Sequence, residues 1–178
     1  MTVYRKDNPV PKVIIFPTNL VSNLEVKDAK GLQEFLANYL RIEALPNDSG
    51  ILLLSEEVYF AKEFPIVEGK DQTEEIRAFL GIIPIGISNL VSKEIVLNGK
   101  KFVYASNRSL GVNVVYGFAA GGLKTTEVLP AFVVGINDQT VFGVETIASI
   151  TANLPKEKSY SMLPNIFANE KKRWWHLW

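Results

Sequence analysis

Hydrophobic positions along this chain recur with a period near two in some stretches and between three and four in others, and the changes of period lay out a succession of strands and helices. The densest signal spans residues 50–86, GILLLSEEVYFAKEFPIVEGKDQTEEIRAFLGIIPIG. Ile51, Leu52, Leu53 and Leu54 form an unbroken apolar run, the pattern of a strand buried on both faces. Ser55, Glu56 and Glu57 interrupt it, and residues 58–64 resume with β-branched and aromatic side chains until Pro65, so the two runs predict a hairpin. The period then lengthens. Asp71 or Thr73 can cap a helix, Glu74 and Glu75 suit its first turn, and Ile76, Phe79 and Leu80 share one face.

Around this centre the remaining elements fall into place. Residues 1–11 are polar with two prolines and predict an extended or frayed start. A short strand over 12–16 ends at Pro17, and Asp28 caps a helix in which Leu32, Phe35, Leu36, Tyr39 and Leu40 recur at helical spacing. Residues 46–50 read as a loop, and 81–86, broken by Pro84, as a packed connector. Runs at 93–97 and 101–105 flank Asn98-Gly99, the strongest short-range hairpin signal. Asn107 or Ser109 can cap a helix carrying Leu110, Val114, Val115, Phe118 and Ala119, which Gly121-Gly122 stops, and a strand returns over 125–129. Residues 131–136 and 140–147 then read as a further hairpin, with a helix over 139–153 as the competing reading. From Pro155 onward no period is sustained and the chain reads as a tail.

Composition narrows the chemistry. A length of 178 residues suits one well-cored domain, or a domain with a tail, and a formal net charge of +0 gives no global attraction to nucleic acid. With no cysteine and a single histidine, His176, near the end, neither a disulfide, a thiolate or multi-histidine metal site, nor a histidine-based triad in the core can be built. No Walker-type loop or G-x-G-x-x-G follows a strand; the glycine clusters at 81–86 and 117–122 read as a connector and a helix end. Glu56-Glu57 and Glu74-Glu75 are adjacent pairs whose side chains diverge, and Ser88, Ser92, Ser106 and Ser109 read as turn and cap residues. The expectation is therefore a non-enzyme with no catalytic residue, no metal site and no cofactor. The N-terminus lacks the apolar segment of a signal peptide and no eighteen-residue apolar run occurs, so the chain as given reads as soluble and not exported.

The one concentrated signal is terminal. Lys171, Lys172 and Arg173 are followed directly by Trp174, Trp175 and Trp178, all the tryptophans of the chain. Cations followed by tryptophans suit a membrane interface, the cations facing anionic lipid and the rings at headgroup depth. The structural alternative is a tail whose aromatic rings pack on the domain or on a partner chain. Single-stranded nucleic acid is a distant third, since no other basic stripe accompanies the three cations.

The order of these elements resembles a known family. Residues 42–130 look like the accessory domain of the degenerate actin-like proteins of type IV pilus and type II secretion assembly, the PilM and GspL families. The stretches carrying the likeness are KEFPI, TEEIRAFLGIIPIG, KEIVLNGKKFVYAS, RSLGVNVVYGFAAGGL and KTTEVLP, and YSMLPNIFANEKKRWWHLW is similar to the pre-membrane segment of PilN and GspL. The resemblance implies an α/β fold of mixed sheets with flanking helices, degenerate actin-like (ribonuclease H-like), with a strand-helix-strand-strand accessory unit. It implies an assembly domain over 1–154 and a basic-aromatic tail over 155–178 leading towards the membrane. At the places where ATPase members carry phosphate loops, Phe16-Pro17-Thr18-Asn19 and residues 135–139 lack the glycine and aspartate arrangement, which implies a member that has lost nucleotide binding, closer to GspL. The function implied is a non-enzymatic platform scaffold at the cytoplasmic face of the inner membrane. Its partners would be pilus or secretion platform proteins and the membrane, with a homodimer as an option and no nucleic acid. An actin-like nucleotide-binding module and a small-ligand-binding domain are the alternatives.

Overall fold

A computed structural model describes residues 2–3, 12–43, 49–67, 69, 71–136 and 160–168. The fold is mixed α/β, with several sheets and flanking helices, as expected. In chain order the main elements are α1 (Ala29–Ile42), β5 (Ser49–Leu54), β6 (Tyr59–Phe64), α2 (Thr73–Gly81), β7 (Leu90–Leu97), β8 (Lys100–Asn107), α3 (Arg108–Ala120) and β9 (Lys124–Pro130). Before them lie two small antiparallel ladders, β1 (Thr2–Val3) with β2 (Lys12–Val13) and β3 (Val21–Ser22) with β4 (Glu25–Val26). The strand expected over 12–16 stops at Val13, and Ile14 is instead buried against α1.

Helices form where the caps and periodicity place them. The Asp28 carboxylate accepts the Gly31 amide at 2.9 Å, and Leu32, Leu36, Ala37 and Leu40 of α1 are buried. At the start of α2 the Asp71 carboxylate accepts both the amide and the hydroxyl of Thr73, so Asp71 caps from just outside the helix. The Asn107 side chain accepts the Leu110 amide to cap α3. Helices α1 and α3 lie directly against each other. A Cβ added to Gly117 would stand 2.8 Å from Leu36 Cβ, and one on Gly121 would stand 2.9 Å from Leu40 Cβ. Two glycines that read as helix-end residues are thus helix-contact residues, and Gly122, at φ 92°, supplies the left-handed turn after the helix.

The two expected hairpins part company. Residues Asn98 and Gly99 take φ values of 51° and 74°, the left-handed pair that a tight two-residue turn requires, and β7 and β8 pair in full register around them. The predicted hairpin over 51–64 does not form. Ser55-Glu56-Glu57 contains no residue suited to that turn, and a 3-10 turn at Glu56–Val58 redirects the chain. Strand β5 pairs in parallel with β9, while β6 joins a three-stranded antiparallel sheet of order β6-β8-β7. Nor is β5 buried on both faces, since Ile51 is 38% exposed. The strand expected over 131–136 is also corrected: Ala131–Val134 is a 3-10 turn that closes through Gly135 at φ 77°. The competing readings for 139–153 lie outside the described residues.

The three-stranded sheet is the strand-helix-strand-strand unit, β6-α2-β7-β8. One face packs Phe64, Val103 and Ala105 against Phe79 and Ile83 at the α2 end. The other face carries Val91, Ile95 and Tyr104, and onto it pack Val115 of α3, Val128 of β9 and a segment from far along the chain.

Candidate functional site

That distant segment is 160–168, YSMLPNIFA, which the sequence placed in a tail. The structure packs it into the largest apolar cluster: Met162 is 0% and Ile166 1% exposed, with Leu163 and Phe167 also buried. Its apolar residues explain why: Met162, Leu163, Ile166 and Phe167 sit at positions that a single helical turn gathers on one side, and α4 (Leu163–Ile166) is that turn. Fully burying a side chain of this size stabilises by about 1.5–3 kcal/mol, so the four together give a strong reason for the segment to dock.

The seat is a groove between β9, the β7-β8 face and α3, and the polar contacts fix the register. On one wall the Met162 amide donates to the Val128 carbonyl at 2.8 Å, and the Val128 amide donates to the Ser161 hydroxyl oxygen at 3.0 Å. The same hydroxyl accepts the Leu163 amide at 3.2 Å, closing the turn into α4. On the opposite wall β7 is held from its outer side: Tyr160 donates its hydroxyl to the Val96 carbonyl at 3.0 Å, and Asn165 its amide to the Ser92 carbonyl at 3.1 Å. Lys93 donates to the Ser161 carbonyl at 2.6 Å, and the Tyr104 hydroxyl donates to the Tyr160 carbonyl. Segment 160–168 therefore ties the β5-β9 pair to the three-stranded sheet.

The floor is cut to shape. A Cβ on Gly111 of α3 would lie 3.0 Å from Ile166 Cδ1, and the Phe167 ring meets Tyr116 edge-on with centroids 5.4 Å apart. Ser106, buried beneath, donates its hydroxyl towards Met162 Sδ at 3.5 Å. Burial pushes the Tyr104 hydroxyl far above its ordinary range, and burial also lowers Lys93, an effect that the nearby Glu127 carboxylate partly offsets. Main-chain bonds to a strand edge, apolar anchors in fitted pockets and a few placed polar groups are the chemistry of peptide recognition.

A second concavity, of about 310 Å³, lies between the β3-β4 turn, the connector after α2 and the α3 N-terminus. Asn23, Glu25, Phe60, Asn89, Asn107 and Ser109 are among its walls. The backbone beside it is fixed by the Arg108 amide donating to the Asn89 carbonyl at 2.6 Å. At the rim the Glu25 carboxyl is held below its usual range by Lys27, whose ammonium pairs with it at 2.5 Å, so the two charges offset each other.

No family model matches the chain, and no curated protein matches it. Among solved structures it is similar to a PilM-PilN type IV pilus biogenesis complex, at 16% identity and a TM-score of 0.48, over 71% of this chain and 41% of that one. The chain thus spans about two-fifths of the length of that structure. The likeness is a coarse one of fold and assigns neither family nor function.

Of the residues singled out from sequence, Lys171, Lys172, Arg173, Trp174, Trp175 and Trp178 lie outside the described residues. Glu56-Glu57 begin the 3-10 turn and Glu74-Glu75 the first turn of α2, all exposed. Among the described residues no helix is long and apolar enough to cross a membrane, and no three metal-ligating side chains gather. Sequence reasoning missed the groove residues Lys93, Tyr104, Gly111 and Val128. The usable signal was in SMLPNIF, where apolar residues at one-turn spacing follow a serine suited to a turn.

Proposed function

We propose that this chain is a non-enzymatic scaffold of a type IV pilus or type II secretion assembly platform, working at the cytoplasmic face of the inner membrane. The observation that carries the reading is the seating of 160–168 in the groove. This is the stretch whose sequence resembles the pre-membrane segment of PilN and GspL, and it docks on a domain whose β6-α2-β7-β8-α3-β9 order is the one the resemblance implies. The groove clasps the segment that leads towards the lipid, so the assembly domain includes 160–168, and the membrane-contacting stretch begins after Ala168 with Lys171, Lys172 and Arg173 against anionic headgroups. Pulling force or partner binding at the membrane is thereby coupled to the sheet that the segment ties together.

The test is co-flotation with anionic and neutral vesicles at low and high salt, beside a chain ending at Asn169, followed by capture of platform proteins. Tail-dependent, salt-weakened binding to anionic vesicles and recovery of a platform protein are the expected results. Failure of both refutes the scaffold reading. Magnesium-ATP is expected to leave the melting temperature unchanged, and a rise with nucleotide would favour the actin-like ATPase alternative instead.

A further inference from the structure

The two outer strands of the three-stranded sheet are treated differently. The outer side of β7 is closed by Tyr160 and Asn165. Strand β6 ends the sheet on the other side. Beyond its pairing with β8, residues 60–64 make no hydrogen bond among the described residues except the ion pair of Glu63 with Lys100, and Ala61, Lys62 and Glu63 are all exposed. An open edge is a template for another strand.

The geometry points to a second copy of this chain as the occupant, with the two β6 strands pairing antiparallel about a twofold axis at Ala61. Strand pleating decides which registers are open. Opposed residues must lie on the same face, so a twofold axis perpendicular to the sheet passes through a residue and never between two. An axis at Lys62 or Glu63 sets like charges directly opposite each other, which destabilises a strand pair. An axis at Phe60 slides Lys62 and Glu63 out of the paired strand. An axis at Ala61 opposes two small side chains at the centre, sets each Lys62 across from the other copy's Phe60, and sets each Glu63 across from its Tyr59. Lys62 already lies over an aromatic face within its own chain, with Nζ 5.2 Å from the Phe64 ring centre, so an aromatic neighbour across the axis suits it. The product is one continuous sheet, β7-β8-β6 joined to β6-β8-β7, with a sealed β7 at each end.

The full chain is examined by sedimentation equilibrium over a wide concentration range. A dimer is expected, and Ala61→Lys, which opposes two cations on the axis, is expected to weaken it roughly tenfold with an unchanged circular dichroism spectrum. Because the sequence has no cysteine, Ala61→Cys gives a single reporter. It should cross-link to a covalent dimer with a short bismaleimide, whereas Glu34→Cys, exposed on α1, should not. A chain that stays monomeric at every concentration overturns the inference. So does a dimer that Ala61→Lys leaves intact, or one in which Ala61→Cys cross-links no better than Glu34→Cys.

Discussion

Strands β6 and β7 flank the same central strand in the same antiparallel sense, yet the outer edge of β7 is bonded by Tyr160 and Asn165 while that of β6 has no strand beside it among the described residues. Their own sequences do not account for the difference, since LVSKEIVL and YFAKEF both carry an adjacent Lys-Glu pair between apolar residues. What differs is the neighbour: β7 meets 160–168, whose Met162, Leu163, Ile166 and Phe167 fill the space that β9 and α3 leave beside it. An edge is closed by whatever apolar segment the fold delivers to it, and the strand itself supplies only main-chain groups.

If the segment seals the edge by packing, removing its anchors should have the largest effect. Met162→Ala and Ile166→Ala are each expected to cost about 2–5 kcal/mol, read as a lower urea midpoint with a nearly unchanged slope. Global losses below about 1 kcal/mol would mean that the segment is an ornament on an independently stable body. The polar seat comes next. Ser161→Ala leaves the buried Val128 and Leu163 amides without their acceptor, and a loss of about 1–3 kcal/mol is expected in the same measurement.

Tyr104→Phe isolates a smaller contribution with its own pH signature. At neutral pH it removes the donor to the Tyr160 carbonyl, worth about 1 kcal/mol. Burial raises the Tyr104 hydroxyl above its ordinary 10.0, so as pH climbs past that value the unfolded chain loses this proton while the folded one keeps it. The stability that Tyr104 contributes is present below pH 10 and is lost as pH rises above it. Wild type should therefore lose stability more steeply than Tyr104→Phe in alkaline solution, and equal slopes would place the hydroxyl in contact with water. On the open edge the expectation inverts. Lys62→Ser should alter the stability of one copy by no more than about 0.5 kcal/mol, because Lys62 is exposed and, among the described residues, no strand lies beside it on the outer side.

Much of this was legible in the sequence wherever the deciding contact is local. Asp28, Asp71 and Asn107 cap the helices they announce because a short polar side chain reaches amides only two or three residues away. Asn98-Gly99 makes its hairpin because both residues tolerate the left-handed backbone that the turn imposes. The apolar stripe of α1 marks its buried face with no knowledge of what covers it.

The pairings that join distant parts of the chain were decided elsewhere. Strand β5 carries the apolar run of a hairpin arm but finds β9, some seventy residues on, because parallel pairing leaves no turn motif in the sequence. Gly117 and Gly121 read as a helix ending until Leu36 and Leu40 stand against them. Residues 160–168, too short to show a sustained period, read as a tail, and Ser161 and Met162 reveal their role only beside Val128. Local backbone preference and short-range hydrogen bonds thus fixed the elements. Their partners were chosen by the burial of apolar surface between segments far apart in sequence, a quantity defined only once the chain has folded.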